Sequence, residues 1–578
     1  MKKGVYVVFK LLNISYKKRM NKKWEYYDIN TKEVEEIKNK YNVSRLVATV
    51  ISNKKLQDDI DVFLNPTRND FYDPFLMPDM EIAVNRIIKA IENQEKVIIY
   101  GDYDVDGITS ITVLKKFLQD RGLNVDSYIP NRLDEGYGLN KNAIDKIVSQ
   151  NYTLMITVDC GISGIEEVEY ANSLGLETVV TDHHEPAEVL PNALAVVDAK
   201  RKDNKYPFNQ LAGVGVVFKV IQAISQKFNL EEREYLKFLD IVCVGTISDI
   251  VPLVDENRVI SKLGLKLVAV TKNVGLRALL QAAGCKNIDS TTISFGIAPR
   301  VNACGRLGYE QEALNLFLTD NIVQAQEIAK RLNKYNYDRQ QTEVKIFNEA
   351  IEMIENGEKD KNCIILGKEN WHHGVIGIVS SKVTEMYYKP SILICFEGDE
   401  GKGSGRSIQG FDLHEALTNC PNHIERFGGH SMAIGITIKK SEFEDFKKDV
   451  EEYTKNSNIN ELLPVIKIDE EINSNDIDIN TVKDLKVLEP FGEANKMPIF
   501  IYKNLKIKSI RALSEGKHIK LTLRDKNIVI DAIGFNMGKL VNDFLLGDRV
   551  DVVGSLEINK FNGRETVQIN LKDMRKSY

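Results

Sequence analysis

The sequence predicts an α/β protein of several domains: a parallel-sheet lobe and a smaller α/β lobe joined by a long helix, then a C-terminal β-barrel of OB-fold type. Three observations predict it. Between about residues 91 and 320, short β-branched runs alternate with helix-like stretches, the pattern of a parallel sheet covered on both faces. From Asn321 to Asn356 the chain runs without Pro or Gly and carries apolar residues at three- and four-residue spacing, as a long helix between lobes does. In the final hundred residues apolar and polar side chains alternate with period two, the mark of a half-exposed antiparallel sheet.

The elements follow in order. Residues 1–19 are basic and partly apolar, but Lys10 interrupts the apolar run and no small-residue cleavage site follows. They read as a short leader or a misassigned start, with Met20 as the working start. Residues 20–90 read as a helical region whose clearest helix is DMEIAVNRIIKAIENQEK, with Asp79 as its cap and Ile82, Val84, Ile87, Ile88 and Ile91 as its apolar stripe. The sheet lobe, 91–320, has strands KVIIY (96–100), YTLMITV (152–158) and LETVVT (176–181), separated by helices such as AIDKIVSQN and GIEEVEYANSLG. The connector helix occupies 321–357, and strands in CIILG and PSILICF place the smaller lobe at 358–460. In 461–578, HIKLTLRD and VQINLKD alternate around turn signals at EGKH, GD and FNGRE, which suits a small barrel.

At 578 residues, 43% hydrophobic and 28% charged, the chain has the composition of a globular protein with room for a cleft. No run approaches the ~18 apolar residues of a membrane span. Seven scattered cysteines without a C-x-x-C pair argue against a disulfide framework or a zinc knuckle and suit a reducing cytoplasm. The net charge of −6 speaks against a polyanionic partner, but its distribution does not. From Phe500 onward there are fifteen Lys/Arg against nine Asp/Glu, so a basic module of charge +6 follows a body of charge −12.

Acids and imidazoles follow the strands directly: Asp102, Asp104 and Asp106 after the first, Asp159 after the second, and Asp182, His183 and His184 after the third. Three carboxylates on alternate residues repel one another, so either water screens them in a turn or a cation holds them. In an open parallel sheet the ligand crevice lies beyond the carboxyl ends of the strands, where all of these groups fall. Carboxylates with neutral imidazole suit Mn²⁺ or Mg²⁺ better than a thiolate zinc site. Asp249, interrupting the apolar stretch DIVCVGTISDIVPL, supplies a further acid, and a pair of metals sharing a carboxylate needs about this many ligands.

GDYDVDG, the isolated Asp159, TDHH and GTISDIVPL resemble the four motifs of the DHH phosphoesterase superfamily. The intervening text, PNRLDEGYGL, APRVNACGR, NWHHGVIGIVSSKV, GSGRS, RFGGHSMAIG and LEPFG, resembles the superfamily's RecJ family of single-strand-specific DNA exonucleases. The likeness runs from about residue 44 to the C-terminus. It implies a metal-dependent exonuclease that hydrolyses single-stranded DNA 5′ to 3′ to mononucleotides in repair and recombination, by two-metal-ion in-line attack of water. By position, Asp104, Asp106, Asp159, His183 and Asp249 are then metal ligands, His184 faces the scissile phosphate, and Asp102 supports the cluster. Arg132, Ser404 and Arg406 correspond to a pocket for the terminal 5′ phosphate, and Tyr137 is placed to stack on an end base. Gly428, Gly429 and His430, with Arg300, Asn302 and Arg306, line a strand-tracking groove; Asn302 also reads as a turn residue.

Two departures stand out. Several superfamily members carry a histidine four residues before Asp104, where this chain has Tyr100, and EPFGEANKMP departs from the usual interdomain turn at Ala494 and Lys496. The expected partners are single-stranded DNA, a single-stranded-DNA-binding protein and a RecQ-like helicase, with no membrane association and a monomeric state. Two rival readings are a relative acting on oligoribonucleotides or cyclic dinucleotides, and a non-catalytic strand-binding scaffold.

Overall fold

The computed structural model describes residues 21–56, 60–132, 135–526 and 528–577, so the expected leader lies outside the described residues. Strand β1 (Lys23–Tyr26) is the first element among the described residues. The first lobe is a five-stranded parallel sheet of β2 (Val97–Gly101), β3 (Val125–Tyr128), β4 (Leu154–Val158), β5 (Glu177–Thr181) and β6 (Ala195–Val197), in the order β3-β2-β4-β5-β6. Burial on both faces explains the continuous apolar runs. Ile99, Ile156, Val158 and Val179 face the larger core, whereas Ile98, Tyr100, Met155 and Val180 face a second one.

The helix Ile322–Met353 begins at Asn321, whose side chain accepts from the amides of Val323 and Gln324. It serves two cores, placing Ala325, Ile328 and Leu332 in that of the first lobe and Ile346, Ala350 and Ile351 in that of the second. The second lobe is a mixed sheet of β7 (Ile364–Glu369), β8 (Ser391–Glu397), β9 (Glu400–Arg406), β10 (Arg426–His430) and β11 (Ala433–Lys439), ordered β10-β11-β9-β8-β7. Strand β12 (Val465–Ile468) pairs with β1 and leads into the barrel. There β13 (Glu470–Glu471), β14 (Phe500–Leu513), β15 (His518–Asp525), β16 (Ile528–Gly534), β17 (Arg549–Phe561) and β18 (Arg564–Lys576) form a sheet that closes through β14 and β17.

Two expectations change. The segment 20–90 is shared between cores: Val34, Ile37, Val47 and Phe63 pack with barrel residues such as Phe500 and Leu521, while Met77 to Ile91 join the first lobe. Amphipathic helices announce a buried face but not the surface that buries it. Asp79 does sit at the start of the helix Met80–Glu92, but it makes no side-chain cap; its carboxylate takes the Val196 amide and Arg201, tying the helix to β6. Ile82 of the expected stripe is exposed, while Val84, Ile87 and Ile91 are buried. Among the described residues, no helix is long and apolar enough to cross a membrane.

Candidate active site

The acidic cluster lies at the carboxyl ends of β2, β4 and β5. Asp104 is the N-cap of the helix Val105–Gln119, its Oδ1 accepting from the amides of Asp106 (2.8 Å) and Gly107 (3.1 Å). Glycine is required at 107, because a Cβ there would lie 2.3 Å from the Asp102 carbonyl oxygen. The fully buried Asp106 reaches across to the start of the helix Gly213–Lys227, where its Oδ2 accepts from the Gly213 amide (2.6 Å) and Oδ1 from that of Val214 (2.8 Å). Asp159 follows β4 with φ of 59°, a left-handed conformation that Asp tolerates better than most residues. Asp249 ends the helix Leu239–Ser248, and the next residue, Ile250, is exposed at φ of 63°. A β-branched residue there is strained, and such strain collects at functional sites.

The imidazole of His183 gathers three of these acids. Its Nε2 stands 3.1 Å from Asp159, 3.7 Å from Asp249 and 3.8 Å from Asp106. Asp182 organises the turn: its Oδ1 accepts from the amides of His183 and His184 and lies 2.7 Å from His184 Nδ1, and its Oδ2 accepts from the Ile162 amide. Asn302 contributes from the helix Ala298–Leu307, accepting from the Val105 amide and so bracing the first acidic loop.

Electrostatics show what this arrangement lacks. Burial, then repulsion among the acids, pushes Asp102, Asp159 and Asp249 well above the carboxylate range and Asp106 up to about 7. Burial and the neighbouring His184 hold His183 down at about 3, which keeps it a neutral donor. Asp102 Oδ1 and His183 Nε2 are buried without a hydrogen-bond partner. Divalent cations answer each deficiency, and three sets of side chains place ligating atoms within 4.8 Å of one another: Asp102, Asp104 and Asp159; Asp106, His183 and Asp249; Asp159, His183 and His184. Asp102 is thus as well placed to ligate as its neighbours. Tyr100 takes no part, because it points into the opposite core, where its hydroxyl donates to Gly138 O and its ring stacks on Tyr128.

A second cluster, of arginines, adjoins the first. The Arg132 guanidinium lies 4.9 Å from the ring of Tyr103, the residue between Asp102 and Asp104. Burial, then the charges of Arg132, Arg339 and Arg406, depresses Arg306 to about 10, and burial and Arg132 depress Arg406. Arg306 donates to Gly374 O across the gap between the lobes (2.7 Å), and Arg406 donates to Ser404 Oγ (2.9 Å). Gly377 leaves the room, since a Cβ there would stand 2.9 Å from Ser404 Oγ and 3.1 Å from Arg406. Guanidinium groups that depress one another in this way favour an anion between them, and a phosphate suits such donors.

The other expected site residues fall as follows. Half-exposed Tyr137 donates to the Asp159 carbonyl oxygen and leans edge-on against His184, beside the acids. Gly428, Gly429 and His430 lie exposed on β10, at the sheet edge. Ser404, Gly435 and Gly428 form one row across β9, β11 and β10, and a Cβ on either glycine would meet nothing, so bare backbone leads outward from the arginines. Arg300 is brought to neither cluster: it donates to Asn333 of the connector helix and to Gly296 O. Sequence reading passed over Tyr103, and also Asp198, which follows β6 just as the other acids follow their strands.

Comparison with known proteins agrees with this division. The model of the DHH family N-terminal domain matches residues 96–246, the DHHA1 domain 360–456 and the RecJ OB domain 468–573. The single-stranded-DNA-specific exonuclease RecJ of Bacillus subtilis is 37% identical over 559 residues, 95% of this chain and 70% of that protein. The chain belongs to the RecJ family. RecJ of Haemophilus influenzae is 33% identical over 88% of this chain and 92% of its own length. The crystal structure of RecJ from Thermus thermophilus with Mn²⁺ superposes with a TM-score of 0.84 at 28% identity, covering 96% of this chain and 80% of that one. A RecJ crystal structure from the same organism holds Mg²⁺, with a TM-score of 0.79 at 26% identity. Both ions are those the acids and imidazoles of this RecJ-family chain suit.

Proposed function

We propose that this chain is a metal-dependent exonuclease that hydrolyses single-stranded DNA from its 5′ end, one nucleotide at a time. The carrying observation is the contact of Arg132 with the ring of Tyr103, the residue between Asp102 and Asp104, which sets an arginine of the cluster beside the acids. An end phosphate seated on Arg132, Arg306, Arg406 and Ser404 presents the next phosphodiester to the acidic cluster, so cleavage is measured from the strand end. Asp102, Asp104, Asp106, Asp159, His183 and Asp249 would hold two divalent ions, Mn²⁺ or Mg²⁺. When bound, such ions supply acidity to a water and positive charge to the phosphoryl oxygens. His184, charged by Asp182, faces the scissile phosphate; the carboxylate raises its pKa despite burial and fixes its ring. Tyr137 packs against that ring and borders the end base. The glycine row from Ser404 to Gly428 lets backbone amides follow the strand, and the basic barrel holds it farther out.

This reading places the chain in the cytoplasm as a monomer, in repair and recombination, with a helicase and a single-stranded-DNA-binding protein as partners. Supplying a 5′-phosphorylated and a 5′-hydroxyl strand of the same sequence with Mn²⁺ tests it. Mononucleotides should appear from the 5′ side, and the phosphorylated strand should have the lower KM by about tenfold. Release from the 3′ side, or equal use of both strands, contradicts it.

A further inference from the structure

A lysine lies just past the end of the strand that neighbours β5, beyond the acids already described. Strand β6 is followed by Asp198, fully buried, whose Oδ1 accepts from the Lys200 amide at 2.7 Å and whose Oδ2 has no partner. The neighbouring Arg201 is committed to the fold, donating to Asp79, Asp203 and Val196 O. Lys200 is not so committed. Its side chain is 18% exposed, and its ammonium meets the carboxylate of Glu185, itself 69% exposed, at 3.3 Å. Lys200 stands three residues beyond β6, the strand paired with β5, so it shares the carboxyl edge of the sheet with His183 and His184, and its partner Glu185 directly follows His184. A pair whose carboxylate is exposed holds a lysine weakly, and a compact ammonium on a flexible stem moves readily between oxygens.

We propose that Lys200 is a catalytic residue that rests on Glu185 in the free protein and turns to a non-bridging oxygen of the phosphoryl group under attack. The inference depends on the hydrolytic reading above. In that reaction a water oxygen bonds to phosphorus, and the bond from phosphorus to the 3′ oxygen breaks, its electron pair going to that oxygen. The proton the water loses is balanced by the one the 3′ oxygen gains, and Lys200 exchanges none. Its part is to offset negative charge that grows on the phosphoryl oxygens, where the five ligating carboxylates already outweigh two divalent ions. Such a donor acts in the transition state and so affects kcat more than KM.

The test uses Lys200→Met, Lys200→Arg and Glu185→Gln in the full chain, with single-strand affinity and Mn²⁺ affinity measured beside turnover. Lys200→Met should lower kcat about a hundredfold with KM and Mn²⁺ affinity within about twofold, and Lys200→Arg should recover most of the loss. Glu185→Gln should keep kcat at or above the parent value. Sulfur in place of one non-bridging oxygen should slow the parent, and this stereospecific penalty should shrink in Lys200→Met. Unchanged kcat, an undiminished sulfur penalty, or Mn²⁺ affinity falling in step with kcat would each overturn the proposal. If Lys200→Met does not fold, a Glu185→Gln kcat reduced tenfold would overturn it instead. A parent protein that binds Mn²⁺ and DNA but releases no nucleotide would defeat the hydrolytic reading itself.

Discussion

The acidic and arginine clusters break the same electrostatic rule with opposite sign. Each sets like charges against one another, and the proposed reading completes each with an ion: divalent metal for Asp102, Asp104, Asp106, Asp159 and Asp249, a phosphate for Arg132, Arg306 and Arg406. They differ in how they are built. The acids sit on strand ends and helix termini of one lobe, Asp104 and Asp106 fixed by backbone amides, whereas the arginines come from loop, helix and strand of two lobes that meet at Arg306 and Gly374. The proposed stepwise removal from an end would use both, a reactive centre in one lobe and a clamp assembled between two.

The largest effect should separate them. Asp249→Ala removes an acid from the centre, so turnover should fall by about three orders of magnitude while affinity for a 5′-phosphorylated strand stays within a few-fold. Calorimetric Mn²⁺ titration should show the weakened site directly. Arg306→Met should do the opposite, raising KM by about ten- to thirtyfold with Mn²⁺ affinity unchanged, as loss of one charge-assisted pair implies. If either variant moves both quantities together, the two clusters are not separate devices.

The pH dependence of stability sharpens the contrast. Burial raises Asp106 from an ordinary carboxylate value to about 7, so the metal-free fold keeps a proton that the unfolded chain releases. Stability of the metal-free protein should therefore decline as pH rises from about 4 to 7, with a Tm several degrees lower at pH 8 than at pH 5 in EDTA. Mn²⁺ should reverse the trend, since a ligand that needs the deprotonated acids stabilises most at high pH. A metal-free Tm that rises across this window would contradict the assignment of strained acids.

The smallest effect concerns the joint between the first lobe and the barrel unit. Buried Arg258 donates to the carbonyl oxygens of Phe63 and Glu489 and stacks on Phe63, joining the first lobe to the barrel unit. Arg258→Met should lower Tm by a few degrees and leave kcat on short strands within about twofold. A loss of kcat on short strands would mean that the barrel unit shapes the reactive centre.

Much of the acidic cluster was legible in the sequence, because a parallel sheet delivers residues that follow its strands to one edge, and Asp104, Asp159 and His183 follow theirs directly. The fold was legible for the same reason, down to a connector helix found at Ile322–Met353 against an expected 321–357. The arginine cluster was not readable from spacing. Arg132, Arg306 and Arg406 are each at least 100 residues apart, and only resemblance grouped Arg132 with Arg406. Arg300 shows the limit of that method, since a motif arginine can serve its own helix packing. The division of residues 20–90 between two cores was equally hidden, because an amphipathic helix does not name its partner. Lys200 left a faint signal, a lysine two residues after a strand-end acid.

The central claim is that the acids carry the reaction and the arginines measure the end. Asp159→Ala and Arg406→Met, compared on 5′-phosphorylated and 5′-hydroxyl strands, test it most directly. Asp159→Ala should release no detectable nucleotide yet bind the phosphorylated strand with its preference intact, while Arg406→Met should still cleave but lose that preference. Retained turnover in Asp159→Ala, or an undiminished preference for the 5′ phosphate in Arg406→Met, would contradict the account.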